Sequence, residues 1–176
     1  TSDNREYIDL GLSVKWATFN VGARSIEEYG NHYAWGEVEP KTVYSWDTYT
    51  KSDYYISGTK FFLDSCDDAA AVNWGGTWRM PTREEIEELR RDCNWSPTTI
   101  DGTNGYMVTS RNNGESIFMP AYANFNFSAI NSEIYCYYWS NERRRTDQAY
   151  VLYFGSTRGE ISLPRYIGLP IRPVCP

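Results

Sequence analysis

After Gly102 the chain changes its period. The helical spacing that precedes this point gives way to alternation, which continues in separate pieces to the C-terminus. Tyr106 to Ser110 and Ser116 to Met119 flank Asn112-Asn113-Gly114, the pattern of a β-hairpin with an Asn-Gly turn. Tyr135 to Ser140 reads as another strand, and Ala149 to Phe154 with Gly159 to Leu163 as a second hairpin. Gly168 to Val174 reads as a last strand. The second half is therefore expected to be antiparallel sheet.

The first half sets a different expectation. Thr82-Arg83-Glu84-Glu85 is a capping box, with Glu85 three residues after the Thr82 cap. Ile86 and Leu89 form the buried stripe of the helix it starts, and Cys93 continues that stripe. Glu84 and Glu88, and Glu87 and Arg91, supply the exposed faces, and Pro97 marks the exit. A shorter helix is predicted through Asp67, Asp68 and the alanines to Trp74, capped by Asp64 or Ser65. Glu6 to Asn20 reads as two short strands, and 21–58 as long ordered loops whose aromatics need burial. The fold class expected is α+β: two helices packed on a small antiparallel sheet with long ordered loops, in one domain over 1–176.

Composition narrows the chemistry. The chain has 15 Tyr and 7 Trp against 7 Phe, so most of its aromatics carry a polar edge suited to half-buried positions. Its net charge of −6 argues against nucleic acid as a partner. From Ser140 onward, however, six arginines stand against Glu142, Asp147 and Glu160, a local excess of +3 that leaves −9 on the remainder. No window reaches the roughly 18 apolar residues of a membrane span, so membrane insertion by this domain is not expected. Thr1 is not a natural start, which leaves room for a removed export signal. Cys66, Cys93, Cys136 and Cys175 lack any C-x-x-C pairing, so zinc and redox motifs are not expected. Two disulfides or buried free thiols both remain open. His32 is alone, no nucleophile elbow or phosphate loop occurs, and neither catalysis nor a cofactor is expected.

The candidate site lies in residues 137–176. Alternation places Tyr150, Leu152 and Phe154 inward, with Gly159, Ile161 and Leu163 as the matching set. Val151, Tyr153, Glu160 and Ser162 then point outward around a tip that includes Ser156 and Arg158. Arg143, Arg144 and Arg145 precede this hairpin, and Arg165, Tyr166 and Ile167 follow it. These twelve residues mix Arg, Tyr and aliphatic side chains without the uniform Lys/Glu/Ser/Thr character of a merely solvated face. Arg and Tyr are the types that dominate binding hot spots.

Several segments together carry a family resemblance. They are Tyr7 to Thr18, Tyr33-Ala34-Trp35-Gly36-Glu37, Asp67-Asp68-Ala69-Ala70, Asn73 to Thr82, Tyr138-Trp139-Ser140 and Arg172-Pro173-Val174. Over nearly its whole length the chain resembles the Fibrobacter succinogenes major paralogous domain family, found in surface proteins of Bacteroidetes. That family resembles the C-type-lectin-like fold, in the branch of formylglycine-generating enzymes and of the variable proteins of diversity-generating retroelements. The resemblance implies a secreted or cell-surface module, an adhesin or variable protein, that binds a protein or glycan ligand through its C-terminal face; a monomer is expected. The alternative is a structural module of a larger surface or pilus assembly. The chain departs from the enzymes of that branch: Cys136 and Cys175 are 39 residues apart, and the histidine cluster of the iron-dependent relatives is missing. The lectin calcium signatures are missing as well, with Trp139-Ser140-Asn141-Glu142 only a faint echo.

Overall fold

The computed structural model describes residues 6–52, 60–121, 135–155 and 161–176. In chain order the elements are β1 (Tyr7–Ile8), β2 (Lys15–Ala17), a 3-10 turn (Trp46–Thr48), α1 (Ala69–Trp74), α2 (Arg83–Asp92), β3 (Cys93–Ile100), β4 (Thr103–Ser110), β5 (Ser116–Pro120), β6 (Cys136–Arg143), β7 (Gln148–Phe154), β8 (Ile161–Pro164) and β9 (Val174–Cys175). The strands form three antiparallel three-stranded sheets, β1-β2-β9, β3-β4-β5 and β6-β7-β8. The architecture is mixed, with few helices and small antiparallel sheets, as an α+β reading requires.

Helix α2 starts as its sequence dictates. Thr82 accepts from the Glu85 amide, and the Glu85 carboxylate accepts from the Thr82 amide at 2.8 Å. Ile86 and Leu89 are buried, and so is Cys93 just beyond the helix. The exit differs from expectation. The helix stops at Asp92, Cys93 is already extended, and Pro97 lies inside β3. Among the described residues β3 pairs only with β4, so the missing proline N–H interrupts no inner ladder. The start of α1 also moves. Asp68, not Asp64 or Ser65, is the cap, because its Oδ1 accepts from Ala70 and Ala71 while Oδ2 accepts from the Met80 amide.

The last strand is shorter than its alternation suggests. Pro170 and Pro173 cannot donate to a ladder, and only Val174–Cys175 is strand. The residues before it are tied singly: Leu169 bridges Tyr33, and the Val21 amide donates to the Ile171 carbonyl at 3.0 Å. Val174 is flanked on both sides, by Trp16 of β2 and by Arg79.

Two hydrophobic cores share one sheet. Cys136, Tyr138, Leu152 and Phe154 face a core with Leu10, Trp16, Ile86, Leu89, Val108 and Met119. Trp139, Ala149 and Val151 face the other, with Tyr33, Trp35, Met80, Leu169 and Ile171. The β6-β7-β8 sheet is thus packed on both faces, which the candidate site depends on. All four cysteines are free; Cys66 is exposed and the other three are buried. No helix among the described residues is long and apolar enough to cross a membrane.

Candidate functional site

Burial divides the twelve tail residues. Val151 is only 5% exposed and faces the second core, contrary to its expected outward position. The expectation of one wet face fails because both faces of β7 are covered near its middle. Arg143 and Arg165 are likewise buried instead of on a contact surface. The Arg143 amide donates to the Phe61 carbonyl at 2.6 Å, and its guanidinium lies 5.3 Å from the Phe61 ring. Arg165 reaches the carbonyls of Lys51 and Ser52, with its guanidinium 5.9 Å from Trp35 and 5.4 Å from Tyr49. These two arginines pin loops to the sheet. Ser156, Arg158 and Glu160 lie outside the described residues. Arg144 and Arg145 are exposed, while Tyr153, Ser162, Tyr166 and Ile167 are half-buried, Ile167 against the second core. Ile161 and Leu163, expected inward, are also only half-buried, packed against that core at the margin of the sheet.

Three groupings of polar aromatics border this sheet. The first is a tyrosine ladder at the end where β6 begins and β7 finishes. Tyr137 is directly opposite Tyr153 in register, with ring centroids 5.2 Å apart. Tyr135 stacks on Tyr153 at 5.7 Å and 18°. Gly155 makes room for it, since a Cβ there would collide with the Tyr135 ring. Burial, then the neighbouring Tyr153 and Tyr135, push the Tyr137 phenol up to about 12. It is therefore a neutral hydrogen-bond donor and acceptor throughout the physiological range.

The second grouping is on the opposite face, beside β8. Tyr150, expected inward, is half-buried, and two guanidinium groups approach its ring: Arg83 from the first turn of α2 at 4.7 Å and Arg144 at 5.9 Å. Arg144 donates to the Ser162 hydroxyl at 3.0 Å, and that hydroxyl donates to Gln148 at 2.7 Å. The third is Trp46, 42% exposed, whose ring meets Tyr166 edge-on at 4.9 Å and Tyr49 at 5.6 Å.

Sequence reasoning missed Arg83, Tyr135, Tyr137, Tyr150 and Trp46. Tyr135 and Tyr137 carried an available signal, because they alternate on a strand whose partner contains Tyr153. Trp46 carried none, as only the fold brings the loop that holds it to Tyr166. The remaining chemistry is sparse. Burial lowers the pKa of His32 and favours its neutral form. Among the described residues no three His, Cys, Asp or Glu side chains gather as a metal site. A groove of about 780 Å³ opens elsewhere, by Phe19, Ile26, Asn31 and Trp74, and no residue of the C-terminal third lines it. No family model matches the chain, and neither does a curated protein or a solved structure.

Proposed function

We propose that the chain is a non-catalytic ligand-binding module of the C-type-lectin-like class, exported or displayed at a cell surface, that takes a protein or glycan on its C-terminal sheet. The tyrosine ladder of Tyr135, Tyr137 and Tyr153 carries this reading. Three half-buried phenols share one end of a sheet that two cores and the buried Arg143 and Arg165 hold in place. Tyrosine offers contact area and a hydrogen bond at low entropic cost, and a pre-ordered platform reduces the cost of binding. The lectin-like class rests on the family resemblance; the capped start of α2 at Thr82 supports it, whereas the closing strand is reduced to Val174–Cys175. The structural alternative has less support, since Val174 is paired on both sides and offers no open edge to a neighbouring copy.

The test is binding to a printed array of glycans and extracellular proteins, repeated with Tyr137→Ala/Tyr153→Ala. The double variant should lose the array signal by on the order of tenfold or more, a hot-spot-sized effect, with a near-native melting temperature. Full binding by a folded double variant would exclude the ladder as the contact surface.

A further inference from the structure

The groove beside Phe19 is built mainly by residues 18–31, which fold back on themselves through their own hydrogen bonds. The Asn31 amide donates to the Val21 carbonyl at 2.9 Å, and the Asn20 side chain donates to the Tyr29 carbonyl at 2.9 Å. The Arg24 amide donates to the Glu28 carboxylate at 2.8 Å, and the Ser25 hydroxyl donates to Glu27. Asn31 is exposed, and its side-chain amide donates to the buried Tyr33 phenol at 3.4 Å. Gly22 has a φ of +82°, and a Cβ there would fall 2.5 Å from Asn31 Cγ. A side chain at position 22 would therefore displace the Asn31 amide. The walls are set before any ligand arrives, which lowers the cost of ordering on binding.

From this arrangement we infer that the groove is a binding site for a neutral oligosaccharide. Its volume of about 780 Å³ is that of a small-ligand pocket. Part of the lining is apolar: Phe19, half-buried, meets Trp74 edge-on at 5.6 Å, and Ile26 is 38% exposed. Such a surface suits the C–H face of a sugar ring. The rest is polar, with hydroxyls from Thr18 and Ser25, an amide from Asn31, a guanidinium from Arg24 and a carboxylate from Glu27. This mixture of donors and acceptors matches sugar hydroxyls, each of which both donates and accepts. Charge disfavours the other occupants. The lining carries Glu6 and Glu27 against Arg24, so an anion meets a net negative charge. A cation meets Arg24, and finds the Glu27 carboxylate already bonded to Ser25. A wholly apolar ligand would strip water from these polar groups and return no hydrogen bonds. No lining residue belongs to the C-terminal sheet, so the site is separate from the tyrosine ladder and does not rest on it.

The experiment titrates the whole chain with xylohexaose, cellohexaose, maltohexaose and mannohexaose, following binding by calorimetry. Oligogalacturonate and hexalysine are the charged controls. At least one neutral sugar should bind, with the same affinity at about 0.01 M and 0.1 M salt, because no ligand charge is screened. Asn31→Ala, at an exposed position, should weaken that binding roughly three- to tenfold, the worth of one neutral hydrogen bond, with a near-native melting temperature. Glu27→Gln/Asn31→Ala should weaken it further, and Tyr137→Ala/Tyr153→Ala should leave it unchanged. Failure of all four neutral sugars to bind, or unchanged binding in the groove variants, overturns the inference and leaves the reading of the tyrosine ladder standing. Loss of the sugar in the tyrosine variant alone would move it to the ladder, and overturns the inference equally. Tighter binding of either charged control than of any neutral sugar overturns the choice of a neutral ligand.

Discussion

Arg172 has no exposed surface, and its guanidinium is shared among four acceptors. Nε donates to Asn20 at 2.7 Å, Nη1 to the carbonyls of Ala17 and Thr18 at 3.1 and 3.2 Å, and Nη2 to the Phe118 carbonyl at 2.9 Å. All four are neutral, so dipoles alone compensate the charge, and burial lowers its pKa from the usual arginine value. Around it, burial raises the pKa values of Cys136 and Tyr138 and keeps both neutral. The residue ties the segment after β2 to β5 and to the C-terminal segment. Arg172→Leu strands these neutral acceptors in the interior, and since each buried acceptor left unsatisfied costs about 1–3 kcal/mol, a loss of about 3 kcal/mol or more is expected from the shift in urea midpoint. Arg172→Lys should recover little, because one ammonium cannot span acceptors set for a planar fork. A loss below about 1 kcal/mol in the leucine variant would mean that the acceptors find other partners. A single Arg between Ile and Pro gives no sequence sign of burial, and the same is true of Arg143 and Arg165. Composition placed these cations on the surface, and only the fold reveals them as clamps.

At the level of the element, α2 shows what local chemistry can specify. Its cap, its stripe and its acidic first turn can all be read from residues 82–93, because each depends on neighbours within one or two turns. Glu85 also reaches beyond the helix, accepting from Arg79 at 2.6 and 2.9 Å. Burial alone would raise its pKa, but the bonds from Arg79 and Thr82 outweigh that and hold it below the ordinary carboxylate range. The sign follows from which state binds the proton more weakly. With its native pKa depressed, Glu85 contributes stability that is complete above the unfolded value and is lost as pH falls through the lowered native one. Urea midpoints compared at neutral and strongly acidic pH should therefore fall further in the wild type than in Glu85→Gln. Equal falls would show that the pair does not couple to folding. Other elements were harder to read for reasons of the same kind. β3 hid behind Pro97, harmless only because that strand is at an edge, and β7 misled through its alternation. A period of two separates two faces; it does not say whether the second face meets water or a second core. Tyr153 and Ser162 remain accessible because they sit toward the ends of their strands, whereas Val151 in the middle does not.

For the whole molecule, the shared sheet predicts how the chain comes apart. Cys136 of β6 lies in the first core, and the next residues on the same strand reach Trp139 in the second. Cys93 is also in the first core, while Cys175 is in β9, paired through β2 to β1 near the opposite end of the chain. Neither core can lose its packing without exposing one face of β6 and β7, so the two should unfold as one cooperative unit. The thiols report on this directly. In native buffer an alkylating reagent should modify Cys66 rapidly and the three buried thiols slowly, with four modified after denaturation. Burial also pushes the Cys93 thiol up to about 11, which lowers its thiolate fraction and its reactivity still further. In graded urea, Cys93, Cys136 and Cys175 should become reactive with a common midpoint, resolved site by site by mass spectrometry after a short pulse. A lower midpoint for Cys175 alone would mean that the β1-β2-β9 sheet opens first, and that the clamp made by Arg172 fails before the cores do. A common midpoint requires the clamp, the terminal sheet and both cores to fail together, which would make the C-terminal sheet a rigid base for any ligand bound on either face.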